Sequence, residues 1–304
     1  MSDDVSRAAA LIRAGELVAF PTETVYGLGA NALDPAAVEA IYAAKGRPAS
    51  SPLIVHVSSI EMARTLVREW PERAEKLARK FWPGPLTLVL PKQAHVPDRL
   101  TAGLDTVGIR MPAHRMAQAL IAQAGVPIAA PSANLFMRLS PTTAQHVRES
   151  LGGRVAMVLE GGPAKIGIES TVLSLAASDA VLLRPGMVTQ SEIEAVIGPV
   201  LTAFSAPEGA HPSPGMQSHA SPGLHSRHYS PKTPLILLDR GQAPPRGRGV
   251  RLQMPIDPGE YAAVLYEKLH QADREGWDWI AIEKPPEGEQ WAAIRDRLER
   301  AASR

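Results

Sequence analysis

The chain contains no cysteine. Disulfides, thiolate nucleophiles and cysteine-based zinc sites are therefore excluded, and a reducing compartment is expected. Aromatic residues are scarce, 5% of 304, which leaves little surface for stacking nucleobases. An excess of charge of either sign is missing too. Thirty-two Lys and Arg against 31 Asp and Glu give a formal net charge of +1, so a nucleic-acid partner would have to be held by a local patch. No apolar run approaches the ~18 residues that mark a membrane-spanning helix. The start, MSDDVSRAAALIRAGE, has the spacing of a short amphipathic helix and lacks the basic beginning and long apolar core of a secretion signal. The expectation is a cytoplasmic protein that does not span a membrane. What is present, 45% hydrophobic and 21% charged residues, suits a globular fold. At ~150 residues per domain the length suggests about two.

Short apolar runs alternate with helical patterns over residues 1–200. LVAF (17–20), LIVHV (53–57), LTLVL (86–90), TVGIR (106–110), PIAA (127–130), VAMVL (155–159), STVLSL (170–175) and AVLLR (180–184) predict strands. The clearest helix is 35–45, with Asp34 as N-cap, Pro35 at the first helical position and Gly46 to close it. Thr189 with Glu192 makes a capping box for another at 190–197. This mixture predicts an α/β domain with a large twisted mixed sheet and flanking helices over 1–200. Residues 201–234, rich in Pro, Gly, Ser and His and without a period, predict a linker. LILL (235–238), GVRL (249–252), a helix opened by Asp257 and Pro258, WDWIAIE (277–283) and a charged helix from about 288 predict a small C-terminal α/β domain over 235–304.

Conventional catalytic signatures are also missing. The chain has no Gly-x-x-x-x-Gly-Lys-Ser/Thr loop and no His-Glu-x-x-His. Gly27-x-Gly29-x-x-Ala32 approaches a dinucleotide fingerprint, but it does not open a helix and no acid follows at the required distance. The hydroxyls and cations of several loops are left to carry the chemistry. PTET (21–24) sets two threonines at the end of a strand, where open α/β sheets bind ligands, or simply forms a turn. In KGRPASSP (45–52), Lys45 suits a helix C-terminus, whereas Arg47 lies beyond the helix and before a rigid proline, where a guanidinium can grip phosphate in two places. His56 shares a strand face with Ile54 and is either a buried structural side chain or a ligand contact. APSAN (130–134) and SPTTA (140–144) offer Ser132, Asn134 and Ser140 to a ligand or to turns, and Ser140 before Pro141 also reads as a helix start. Arg110 and Arg184 end two strands and, with Arg47, would concentrate guanidinium groups if they converge. Such residues suit a reaction in which the substrates supply nucleophile and leaving group and the protein positions charge. The linker histidines His211, His219, His225 and His228 read as solvated rather than metal-binding. SRHYSPK (226–232) stands apart as a compact group of cations and an aromatic ring.

FPTETVYGLGANA, KGRPxxxPLIVHV, FWPGPLTLVL, TAGLDTVGIRMPAH, PIAAPSAN, SPT, GIESTV and LLRPG occur in this order. Together they resemble the YrdC-like family, specifically its two-domain branch of threonylcarbamoyl-AMP synthases. The resemblance is dense over roughly residues 8–200 and resumes at SPGLHSRHYSPKTPL (221–235). It implies that L-threonine, bicarbonate and ATP give threonylcarbamoyl-adenylate, pyrophosphate and water, for t6A modification of tRNAs reading ANN codons. It further implies Lys45 and Arg47 on the ATP phosphates as charge-stabilising residues. Thr22, His56, Arg110 and Thr171 would bind threonine, and Ser51, Thr106, Ser132, Asn134, Ser140, Arg184 and Tyr229 the ATP. Mg2+ is expected with ATP, with no metal ligand from the protein. A downstream tRNA threonylcarbamoyl-transfer enzyme is the expected partner, and the linker, through Arg227, His228 and Tyr229, is expected to close over the site as a lid. One departure stands out: the family pattern Asn-x-Ser-Gly-x-x-Ser-Pro-Thr has Phe136 and Met137 here in place of Ser-Gly. The alternatives are an RNA-binding module, since the fold presents a basic concave face that could make a weak RNA contact, and a carbamoyl-adenylate-forming maturation factor. Members of the latter group carry cysteine zinc motifs that this chain lacks.

Overall fold

The computed structural model describes residues 2–48, 50–203 and 228–303. His211, His219, His225 and Arg227, and most of the expected linker and lid, lie outside the described residues.

The strands are β1 Val18–Phe20, β2 Gly27–Asn31, β3 Ile54–His56, β4 Leu86–Pro91, β5 Thr106–Arg110, β6 Ile128–Ala129, β7 Met157–Val158, β8 Thr171–Ser174, β9 Ala180–Arg184, β10 Val200–Thr202, β11 Leu235–Leu238, β12 Gly249–Arg251 and β13 Trp279–Glu283. The first ten form one mixed sheet in the order β10-β9-β8-β4-β5-β3-β6-β2-β1-β7. The last three form a parallel sheet, β11-β13-β12. This agrees with the fold read from the sequence. Two strands were not legible there. GLGAN forms β2 because Gly29, lacking a side chain, admits the Phe20 ring of β1: a Cβ at that position would sit 2.8 Å from Phe20 Cε1. Val200–Thr202 forms β10 beside β9, so the large sheet continues past residue 200.

Local chemistry explains the main helices. Asp34 accepts from the backbone of Ala36 and Ala37, and Gly46 at φ 60° closes Pro35–Lys45 in the left-handed conformation that glycine adopts without strain. Thr189 and Glu192 form both halves of the capping box of Gln190–Ile197. The helix after SPT starts only at Ala144, with Thr143 as its cap. Ser140 is therefore not a helix start. Helices cover both faces of the large sheet: Val38, Ile41, Leu77 and Ile193 pack on one, and Val5, Ile12, Leu120 and Ile121 on the other.

The small sheet shares its core with the large domain. Tyr261, Leu265, Tyr266 and Leu269 of the helix Pro258–Arg274 cluster with Val25, Leu139, Ile168 and Tyr229. The approach is close. A Cβ on Gly167 would lie 2.3 Å from the Ala262 carbonyl oxygen, and φ at Gly167 is +80°. Only glycine fits both conditions.

Candidate functional site

A pocket of about 540 Å3, counting the part open to solvent, lies at the ends of the central strands. Its walls come from the turn after β1, the loop after the helix Pro35–Lys45, β3, the end of β5, residues 130–132, residues 169–170, the end of β9 and residues 228–229. Such strand ends are where open α/β sheets gather ligands, because backbone termini and loops converge there.

One end is a hydroxyl and imidazole corner. Thr22 holds the turn: its hydroxyl donates to the Val25 carbonyl at 2.6 Å and accepts from the amides of Thr24 and Val25. Arg110 ends β5 beside His56, its partner in the β3–β5 register. Its guanidinium is divided among Glu23 Oε1 (2.6 Å), Thr24 Oγ1 (2.9 Å) and the Gly84 carbonyl (3.2 Å). The second Glu23 oxygen accepts from the Ala113 amide. His56 is 4% exposed and its Nδ1 has no partner in the protein. Burial first, and then the Arg110 charge, pushes its pKa down to about 3, so the ring is neutral. A neutral imidazole with an unused nitrogen, next to threonine hydroxyls and a guanidinium, can recognise a small polar molecule.

The other end gathers cations. Arg47 is 7% exposed. It donates from Nη2 to the Pro52 carbonyl at 3.1 Å, and its Nε has no partner. Burial lowers its pKa to about 10. Arg184, also depressed by burial, lies across the pocket and bonds the Ser170 carbonyl from Nε and Nη2. Arg47, Arg110 and Arg184, far apart in sequence, thus line one pocket. The carboxylates nearby are already engaged, Glu23 by Arg110 and Glu169 by Arg297. This leaves an environment suited to a polyanion. Tyr229 closes the wall at φ 59° with its hydroxyl buried and unpartnered, and the segment is tied down by a bond from the Ser230 amide to the Met137 carbonyl at 2.9 Å.

Thr22, Arg47, His56, Arg110, Ser132, Arg184 and Tyr229 line the pocket. The other sequence candidates stand behind it or beside it. Lys45 is buried and its ammonium donates to the carbonyls of Ser132 (2.6 Å) and Asn134 (2.5 Å), so it braces the 132–134 loop. Burial, and then Arg47, lowers its pKa well below the usual lysine value. Asn134 gives its amide to the carbonyls of Leu135 and Arg138. The Ser140 hydroxyl donates to Glu169 at 2.5 Å, and that of Thr171 donates to the Val188 carbonyl at 2.7 Å. Ser51 is buried, and its carbonyl accepts from the Tyr42 hydroxyl. Thr106 lies in an adjoining pocket that shares only Ile54 with the first. Sequence reasoning missed Glu169 and Ser170 as pocket residues, and of the two PTET threonines it assigned a role only to Thr22, although Thr24 also lines the pocket. His228, read both as a solvated linker histidine and as part of the lid group, is buried in the pocket wall. PTET and GIESTV carried a signal for Thr24, Glu169 and Ser170, but nothing in them distinguishes a lining side chain from a bracing one. Among the described residues no three His, Asp or Glu side chains gather as a metal cage, and no helix is long and apolar enough to cross a membrane.

Comparisons with known proteins bear on the whole chain. A family described as "Telomere recombination" matches residues 10–186, and one described as "Threonylcarbamoyl-AMP synthase, C-terminal domain" matches 188–303. The threonylcarbamoyl-AMP synthase of Bacillus subtilis is 44% identical over 98% of this chain and 92% of its own length. That of Pyrococcus abyssi is 43% identical over 97% and 93%. The crystal structure of P. abyssi Sua5 complexed with L-threonine superposes with a TM-score of 0.88 at 40% identity, covering 99% of this chain and 95% of that one.

Proposed function

The chain belongs to the family of two-domain threonylcarbamoyl-AMP synthases, and from that membership we propose how its pocket makes the product. The enzyme is a nucleotidyltransferase that forms L-threonylcarbamoyladenylate with ATP, for t6A in tRNA. Bicarbonate supplies the carbamoyl carbon. The threonine nitrogen adds to that carbon and water leaves, giving a carbamate. A carbamate oxygen then attacks the α-phosphorus of ATP, the bond to the β-phosphate oxygen breaks, and pyrophosphate departs. No protein nucleophile takes part, so catalysis consists of positioning and charge stabilisation.

The observation that carries this reading is the convergence of Arg47, Arg110 and Arg184 on one pocket. Threonine occupies the corner of Thr22, His56 and Arg110, and the neutral His56 bonds it through its unused nitrogen. ATP lies toward Arg47 and Arg184, with Tyr229 and Ser132 against it. Lys45 joins Arg47 in stabilising phosphate charge, directly if its ammonium releases a carbonyl partner, otherwise through the loop it braces. Thr171, Asn134, Ser140 and Ser51 support these walls from behind, and Thr106 extends them into the adjoining pocket. Mg2+ accompanies ATP, bound by its phosphates. Among the described residues no group of His, Asp or Glu side chains offers a cage for it. The adenylate passes to a tRNA threonylcarbamoyl-transfer enzyme in the cytoplasm.

The experiment is pyrophosphate release from ATP, with threonine and bicarbonate each omitted in turn. Release should require both. Serine should be turned over less efficiently, since a pocket fitted to a methyl group gains about 1 kcal/mol or more from it. Equal turnover of serine, or release with no amino acid, would refute the reading. RNA affinity exceeding ATP affinity at physiological salt would favour the binding-module alternative.

A further inference from the structure

The C-terminal domain reaches the pocket wall from behind. Arg297, on the helix Ala292–Ala302, is fully buried but does not line the pocket. Its Nε donates to Glu169 Oε2 at 2.7 Å, and its Nη2 donates to the Pro185 carbonyl at 3.1 Å. The guanidinium carbon stands 5.3 Å from the centroid of the Tyr229 ring, within cation–π range. Glu169 and Tyr229 line the pocket, and Pro185 directly follows Arg184, which also lines it. A single buried cation therefore touches three separate pieces of the wall. Tyr266, also of the C-terminal domain, adds its hydroxyl to Glu169 Oε2 at 3.2 Å.

We propose that Arg297 is a positioning residue for the nucleotide half of the pocket, a role that gives the C-terminal domain a part in the reaction. This rests on the synthase reading above. Two physical needs support it. Glu169 places a carboxylate in the wall of a pocket meant for a triphosphate, and without a partner that charge repels the ligand. Arg297 neutralises it from behind, while the Ser140 hydroxyl satisfies the other oxygen. Tyr229 sits in a left-handed conformation that a non-glycine residue keeps only when its surroundings impose it. Its hydroxyl has no partner, so the ring face against Arg297 is a polar hold on this side chain. A bolt between domains would need only the ion pair. A guanidinium that bonds Glu169 and Pro185 and faces the Tyr229 ring also fixes geometry, which a lysine could not reproduce.

The test uses the full chain and three variants: Arg297→Lys, Arg297→Met and the double variant Glu169→Gln/Arg297→Met. Unfolding midpoints are measured alongside KM for ATP, KM for threonine and kcat in the pyrophosphate assay. Arg297→Lys should stay folded and raise KM for ATP roughly 10- to 100-fold, the loss expected when charge-assisted geometry is disturbed. KM for threonine should change far less, because Thr22, His56 and Arg110 do not touch Arg297. The double variant removes the buried Glu169–Arg297 pair and leaves Asp296, which Arg297 also contacts, to its second partner Arg300, so it keeps the test open if the single variants fold poorly. Its KM for ATP should still be raised, because Tyr229 and Pro185 have lost their partner. Lower midpoints with wild-type kinetic constants below the melting range would make Arg297 a structural bolt and overturn the proposal. A wild-type chain that releases no threonine-dependent pyrophosphate would instead overturn the synthase reading.

Discussion

Replacing Arg47 by methionine should weaken ATP binding without weakening the fold. The guanidinium is buried, has one hydrogen bond to a carbonyl and an unpartnered Nε. Burial lowers its pKa from 12.5 to about 10. At 1.36 kcal/mol for each unit of pKa, its charged form is roughly 3 kcal/mol less comfortable than in water. In the proposed binding mode, an arriving phosphate would relieve that cost and complete the hydrogen bonding. Methionine fills much of the same volume and removes the charge, so the empty protein should unfold at the same denaturant concentration or a higher one. ATP affinity should fall by about 1.5–3 kcal/mol, some 10- to 150-fold. Arg47→Lys should recover only part of this, since an ammonium cannot grip phosphate as a fork. Calorimetric titration with ATP, paired with urea unfolding, checks both halves. Wild-type affinity in Arg47→Met would refute the reasoning. So would an affinity loss matched by an equal loss of stability, because Arg47 would then be a packing residue.

Two further outcomes are expected. His56 is neutral when folded, with a pKa of about 3 against 6.5 when unfolded, so the unfolded chain binds the extra proton and acid favours unfolding. Stability should be unaffected by this group above pH 6.5 and should fall toward pH 3 by up to about 1.4 kcal/mol per pH unit; urea midpoints of His56→Gln across that range should show a shallower acid slope, and an identical slope would contradict the shift. Met137 holds φ 67° at the position where the family pattern has glycine, so Met137→Gly should gain up to about 1 kcal/mol in urea unfolding while Met137→Val should lose a similar amount, and changes of the same sign would show that this conformation is not strained.

The departure at Phe136–Met137 shows how sequence and structure divide the information. The sequence revealed that the usual Ser-Gly was gone, but not the consequence. In the structure the Met137 carbonyl accepts from the Ser230 amide, and the Phe136 ring stands edge-on to His228 at 6.1 Å. The Phe136 ring and the Met137 backbone thus meet residues 228–230, while the Met137 side chain stays exposed.

The sequence by itself determined the elements whose causes are local. Asp34, Pro35 and Gly46 define one helix, and Thr189 with Glu192 starts another, because caps depend on residues three or four positions apart. It also determined which residue types were available for chemistry, since the ordered motifs hold every guanidinium that lines the pocket. Only the tertiary structure decided which hydroxyls and cations line the pocket. Ser170 lines the pocket while the adjacent Thr171 turns to the Val188 carbonyl, and Arg47 lines it while Lys45, two residues earlier, braces the 132–134 loop. The strand β2 and the reach of Arg297 across 128 residues to Glu169 were equally hidden. Each depends on a surface supplied by a distant segment, such as the Phe20 ring over Gly29 or the C-terminal helix behind the pocket wall, and no local pattern in the chain encodes that partner.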